Sequence, residues 1–139
     1  MLVVGFAFFA QALACFVPRR DEQIMGQELL ATVVSLCSFL PYLSGKVVRV
    51  WTDNAGGEGA LRKGGAHSRD HHLMVHAVWL FVARHCVGLR IERVCSRESI
   101  ADALSREEYG GMSSLGASWV APILPLVFLQ PKNWADIAL

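Results

Sequence analysis

The sequence lacks a surplus of charge of either sign. Its 139 residues include 13 Lys and Arg against 12 Asp and Glu, which leaves a net charge of +1. No global field therefore favours a polyanionic partner, and any contact with nucleic acid would depend on a local basic patch. The length suits one ordinary domain.

Common site motifs are also missing. The four cysteines are Cys15, Cys37, Cys86 and Cys95. They form no C-x-x-C pair and no dense framework, which favours reduced thiols in an intracellular protein. The chain has no G-x-x-x-x-G-K-[ST] phosphate loop and no H-E-x-x-H zinc motif. His72 and His76 are four residues apart and could bind zinc, but surface or packing histidines are favoured, because a structural zinc site needs four ligands.

Residues 1–17 contain no charged side chain, and no acid precedes Asp21. A signal peptide would need a basic segment before the apolar run, and none is present. A membrane helix needs about 20 apolar residues, and this run is shorter and contains Gln11. One or two buried strands are the favoured interpretation. A small membrane-associated protein held by residues 1–17 stays an alternative, although no stable membrane association is expected.

The stretch K-V-V-R-V-W-T-D-N over residues 46–54 predicts a short buried strand, since β-branched and aromatic residues fill it. Asp53 stands at its carboxyl end, where functional groups collect in open sheets. An Asp before a turn can equally form an Asx-turn or cap a helix. The strand alone does not decide between these roles.

Two further acids occupy comparable positions. The predicted elements are a helix over 22–40, a helix over 68–86, a strand over 89–95 and a helix over 96–106. Glu28 lies near the start of the first helix and could simply favour its dipole. Asp102 has a capping-box spacing from Ser99 and could cap its own helix. The alternation of strands and helices predicts an α/β fold with a partly parallel sheet.

Glu28, Asp53 and Asp102 can all face the same end of that sheet. Clustered carboxylates repel each other unless a cation neutralises them. Two divalent metals do this in sites that perform in-line phosphoryl displacement. Oxygen ligands suit Mg²⁺ or Mn²⁺.

The ordered blocks E-L-L-A at 28–31, T-D-N at 52–54 and I-A-D-A-L-S-R at 100–106 resemble the ribonuclease H domain attached to reverse transcriptases of retrotransposons and pararetrovirus-like elements. The resemblance covers roughly residues 20–108. It implies a ribonuclease H-like mixed sheet of five strands, flanked by helices, and metal-dependent hydrolysis of the RNA strand of RNA–DNA hybrids. The polymerase domain of the parent element would be a partner. We therefore expect a domain over 1–108 and an irregular C-terminal tail over 109–139.

The resemblance assigns Glu28, Asp53 and Asp102 as catalytic ligands of Mg²⁺ or Mn²⁺. The family's fourth acid lies on the opening strand, and this chain offers none. The domain is thus expected to be incomplete at its N-terminus and to lack its first strand, with residues 1–16 matching the next two strands of a hairpin. Ser99 and Cys95 replace the Asn and Pro that the family often has, and no residue matches the family's mobile His. Weak metal binding is expected, so a non-catalytic relic or a nucleic-acid-binding fragment is the alternative.

Contacts with the hybrid would be mostly to phosphates. The predicted contacts are Arg62, Lys63, Arg69 and Arg97, with Arg19 and Arg20 as further candidates. Scattered basic residues on a solvated surface are the competing interpretation for each of them.

Overall fold

A computed structural model describes residues 2–4, 16–20, 23–106 and 108–125. The helices are α1 (Ile24–Ser38), α2 (Leu40–Leu43), α3 (Ala55–Lys63), α4 (Arg69–Arg84), α5 (Ile100–Ser105) and α6 (Gly110–Ser114). The strands are β1 (Leu2–Val4), β2 (Val47–Thr52), β3 (Gly88–Arg93) and β4 (Ser118–Val120), and a short 3₁₀ turn covers Ser96–Glu98. The chain is a mixed α/β protein, as the sequence pattern predicts.

Helices α1 and α4 form the centre of the core. Apolar residues recur along both at helical spacing and are buried where the helices meet, which removes their surfaces from water. The buried residues are Leu29, Leu30, Val33, Val34, Leu36, Leu73, Met74, Val75 and Val78. Helix α1 ends at Ser38, and Pro41 lies in the first turn of α2, where its missing N–H costs no hydrogen bond.

Strands β2 and β3 pair in parallel, in register from Val47 opposite Gly88 to Thr52 opposite Arg93. Parallel neighbours need a crossover, and α3 and α4 provide it. Exposure alternates along β2 until Thr52, which is buried. The expectation of a buried strand is therefore wrong for one face of β2, where Val47 and Trp51 are exposed because no described element packs on it. The inward side chains Val50, Leu89 and Ile91 pack into the core. The carboxyl end of β2 therefore lies next to the helices, with Thr52 beside α1.

The remaining described strands form a second parallel pair, β1 with β4. The hairpin expected within residues 1–16 would fall largely on residues 5–15, which lie outside the described part of the chain. The five-stranded mixed sheet is therefore not assembled among the described residues, where strands occur as two separate pairs. Of the predicted irregular tail, residues 109–125 are described and contain α6 and β4.

Within the described ranges, no helix has the length and apolar character needed to cross a membrane. Most of the stretch that motivated the membrane alternative, residues 5–15, lies outside those ranges.

Candidate metal centre

The structure brings two of the three predicted acids together. Asp53 follows β2 directly, and Glu28 lies on the face of α1 that reaches the same strand end. Thr52 is buried, and its hydroxyl donates a long hydrogen bond to Oε2 of Glu28, at 3.5 Å. The carboxyl end of β2 thus meets the second turn of α1.

Burial raises the pKa of Glu28 above its ordinary 4.5, the negative charge of Asp53 raises it further, and the Thr52 hydroxyl partly opposes both. The charge of Asp53 therefore makes ionisation of Glu28 less favourable. Within the described part of the chain, neither has an ion-pair partner. Two close, uncompensated carboxylates attract a cation, because a cation removes their repulsion.

Asp53 does not cap the helix that follows it, because the neighbouring residue Asn54 does so. Asn54 is the N-cap of α3, and its Oδ1 accepts a hydrogen bond from the Gly57 N–H at 2.8 Å. The Asn54 N–H in turn donates to the Thr52 hydroxyl at 3.1 Å. Asn54 has the side chain that N-caps prefer, which leaves the carboxylate of Asp53 outside the cap.

The dipole interpretation of Glu28 also loses support, because α1 has no acid in its first turn. Glu28 lies further along the helix, where the effect of the dipole has fallen off. The oxygen atoms of Glu28, Asp53 and Thr52 form a hard donor set of the kind that suits Mg²⁺ or Mn²⁺. The residues present at this strand end therefore fit such a cation.

Asp102 is not part of this pair. It lies in the first turn of α5, and its Oδ2 accepts a hydrogen bond from Nη2 of Arg106 at 2.5 Å. The side chains of Asp102 and Arg106 are 40% and 64% exposed. Among the residues that the structure describes, no three His, Cys, Asp or Glu side chains are grouped so that they could hold a metal ion. The three-acid centre thus stays a prediction, and of its members only Glu28 and Asp53 lie near each other in the described part of the chain.

The predicted phosphate contacts differ in whether their side chains already bind other groups of the protein. Arg62 donates from Nη2 to the carbonyl of Ile91 at 2.7 Å, and its Nε lies 3.0 Å from Glu58. Its guanidinium therefore ties α3 to β3. Lys63, Arg69 and Arg97 are exposed. Arg19, a further candidate, binds the carboxylate of Asp70.

Lys63 lies between two surface grooves. One has a volume of about 730 Å³ and runs between α1, α3 and the start of α4, past His67 and His72. The other, of about 360 Å³, continues along α4 past His76 and Trp79. A basic side chain flanked by imidazoles and an indole is suited to phosphates and bases. The sequence predicts a phosphate contact at Lys63 but gives no such signal for Trp79.

The histidine pair on α4 is arranged poorly for zinc. The rings of His72 and His76 lie with centroids 4.3 Å apart, and Nδ1 of His72 accepts a hydrogen bond from the Ala66 N–H at 3.3 Å. A neutral imidazole that accepts at Nδ1 carries its proton on Nε2, so His72 has no free lone pair for a metal while this bond exists. This geometry favours the packing interpretation of His72.

Comparisons with known proteins add no relative: neither family models, nor curated proteins, nor solved structures give a match to this chain.

Proposed function

We propose that this chain is a retroelement-derived ribonuclease H-like domain, directed at the RNA strand of RNA–DNA hybrids. The observation that carries the proposal is the meeting of Glu28 and Asp53. A helix and a strand end, distant in sequence, supply two carboxylates that no described cation neutralises. The ordered acidic blocks of the sequence, and the parallel β2–β3 pair with helices packed on it, support the same proposal.

In this proposal Glu28, Asp53 and Asp102 hold Mg²⁺ or Mn²⁺. The metal would supply an activated water and charge stabilisation for in-line displacement at phosphorus. The chain's own carboxylates bind and orient it, while Lys63, Arg69 and Arg97 contact the phosphates of the hybrid. Arg62 has a smaller part, since its donors are engaged by Glu58 and the Ile91 carbonyl. The proposal places the domain inside the cell, beside the polymerase domain of its parent element.

The activity is expected to be weak, because the chain supplies three of the family's four acids and Asp102 is paired with Arg106. A non-catalytic module that binds nucleic acid is the second candidate, and the Asp102–Arg106 pair is the observation that favours it. The two candidates differ in whether a divalent cation binds at the Glu28–Asp53 pair.

The test uses the whole chain with a hybrid labelled on its RNA strand, in the presence of Mg²⁺ or Mn²⁺. We expect slow cleavage that Asp53→Asn abolishes and Glu108→Gln, a change at an exposed acid after α5, does not. Cleavage that survives Asp53→Asn would refute the assigned site. Titration with Mn²⁺, followed by electron paramagnetic resonance, separates the candidates: saturable binding that Asp53→Asn removes supports the nuclease, and no binding supports the module.

A further inference from the structure

The outer face of the β2–β3 pair is open to solvent. Inward side chains of the pair pack into the core, so the alternate positions point away from the helices. These outward positions are Val47, Arg49 and Trp51 on β2 and Gly88, Arg90 and Glu92 on β3. Val47 is 69% and Trp51 is 55% exposed. We call Arg49, Trp51, Arg90 and Glu92 the open sheet face.

Two arginines of this face stand directly opposite each other. Arg49 and Arg90 are register partners in the parallel ladder. Like charges at opposed positions destabilise a sheet. Glu92 lies 3.7 Å from Arg49 and offsets one of the two charges. Arg90 has no ion pair within the described residues, so the face retains an unneutralised positive charge.

Trp51 adds a large flat ring to the same face, next to Arg49 along β2 and opposite Glu92 across the ladder. Exposed indole and guanidinium planes are the surfaces on which unpaired bases stack. An apolar protein surface covering the face would take Arg90 out of water without a partner, which is costly. A phosphate would instead neutralise it.

We propose that the open sheet face binds single-stranded RNA. Trp51 stacks on a base, Arg49 and Arg90 contact the flanking phosphates, and Glu92 accepts a hydrogen bond from a ribose 2′-hydroxyl beside the ring. The 2′-hydroxyl is what distinguishes RNA from DNA at such a contact. This binding requires no metal, so it is independent of the hydrolysis proposed above.

The test measures fluorescence anisotropy of a labelled oligouridylate titrated with the whole chain in EDTA. Loss of one stacked base predicts that Trp51→Ala weakens binding by about tenfold or more. Trp51→Phe should recover part of this loss. The matched control is Trp119→Ala, since Trp119 is 59% exposed on β4, outside the open sheet face. Arg90→Ala should reduce the slope of log affinity against log salt by about 0.7.

Three results would overturn the proposal. The first is unchanged affinity in both Trp51→Ala and Arg90→Ala, with circular dichroism showing that both fold. The second is an oligodeoxyuridylate that binds as tightly as the oligouridylate, which excludes the ribose contact. The third is sedimentation of the chain as a dimer that Trp51→Ala dissociates, because a second copy would then cover the face. Since EDTA is present throughout, a failed cleavage assay does not affect any of these outcomes.

Discussion

The negative charge of Asp53 raises the pKa of Glu28, although the two acids lie on different elements of the fold. Burial of Glu28 contributes the larger part of the shift. The folded chain therefore holds one carboxylate in a partly dry position beside another, which costs stability when both are ionised. Such a cost is expected where the pair binds a cation, because the bound cation replaces the repulsion between the carboxylates with attraction.

Replacing Asp53 by Asn should make the chain more stable at neutral pH in the absence of metal. A carboxyl whose pKa is raised by folding releases its proton less readily when folded, so stability falls as the pH rises from the ordinary value of 4.5 through the folded value. Removing the charge of Asp53 lowers the folded pKa of Glu28 and reduces this loss. Urea denaturation of both proteins at several pH values checks the expectation.

The gain from Asp53→Asn should be present at pH 7 and should shrink toward zero below pH 4.5, where Glu28 is protonated in both states. Glu108→Gln, at an exposed acid, serves as the control. A lower stability of Asp53→Asn at pH 7 without metal would contradict the repulsion between the two carboxylates.

The position of Asp53 could be predicted because it depends on local signals. The β-branched and aromatic residues of V-V-R-V-W-T and the Asn and Gly residues that follow predict a strand and its end. The meeting with Glu28 depends on how α1 packs, and the sequence indicates only that both acids can face one end of the sheet. Asn54, rather than Asp53, caps α3 because an N-cap needs its side chain at one particular backbone position.

Other contacts give no signal in a single sequence. Arg19 and Asp70 form an ion pair in the structure, but no spacing rule links residues so far apart. Asp70 lies in the first turn of α4, where acids are usually exposed, yet it is only 2% exposed. The pairing of β1 with β4 could not be predicted for the same reason, because it joins strands near the two ends of the described chain.

The Asn54 cap is expected to contribute to the free energy of unfolding, whereas it adds no charge beside Glu28 and Asp53. Asn54→Ala removes the acceptor for the Gly57 N–H and is expected to lower the free energy of unfolding by about 1 kcal/mol. Asn54→Asp keeps an acceptor and should cost less. If Asn54→Ala leaves the free energy of unfolding unchanged while Asp53→Ala lowers it, the cap has been assigned to the wrong residue.

Gly26 allows α1 to approach the segment before it and α4. A Cβ at this position would lie 2.7 Å from Cε2 of Phe16 and 3.0 Å from Nε2 of His71, closer than packed atoms tolerate. Gly26→Ala should therefore destabilise the chain by about 1–3 kcal/mol in thermal or urea unfolding, as overpacked cores do. Gly59 is the matched control, because it also lies in a helix and a Cβ there meets nothing within 4 Å. Gly59→Ala should stabilise the chain by about 0.5–1 kcal/mol, and equal effects at the two positions would contradict this packing.

The ion pair of Arg19 with Asp70 fixes residues 16–20 to the start of α4. Asp70 accepts hydrogen bonds from both terminal nitrogens of Arg19 and, at 2.9 Å each, from the Val17 and His71 N–H groups. Burial alone would raise the pKa of Asp70, but the hydrogen bonds from Arg19 and from the Val17 and His71 N–H groups lower it to about 2 from the ordinary 3.8. The bonds therefore more than offset the desolvation of the carboxylate.

Asp70→Asn is expected to lower the free energy of unfolding by about 3 kcal/mol at pH 7, since it leaves the Arg19 charge without its buried partner. Because the folded pKa of Asp70 is depressed, its contribution is fully present above pH 3.8 and is lost as the pH falls toward 2. Urea denaturation of wild type and variant between pH 7 and pH 2 should thus show two curves that converge in acid. The double variant Arg19→Met with Asp70→Asn should lose less than the sum of the single losses, because the pair acts as a unit. Additive losses, or a difference that persists at pH 2, would show that Asp70 stabilises the chain by some means other than this ion pair.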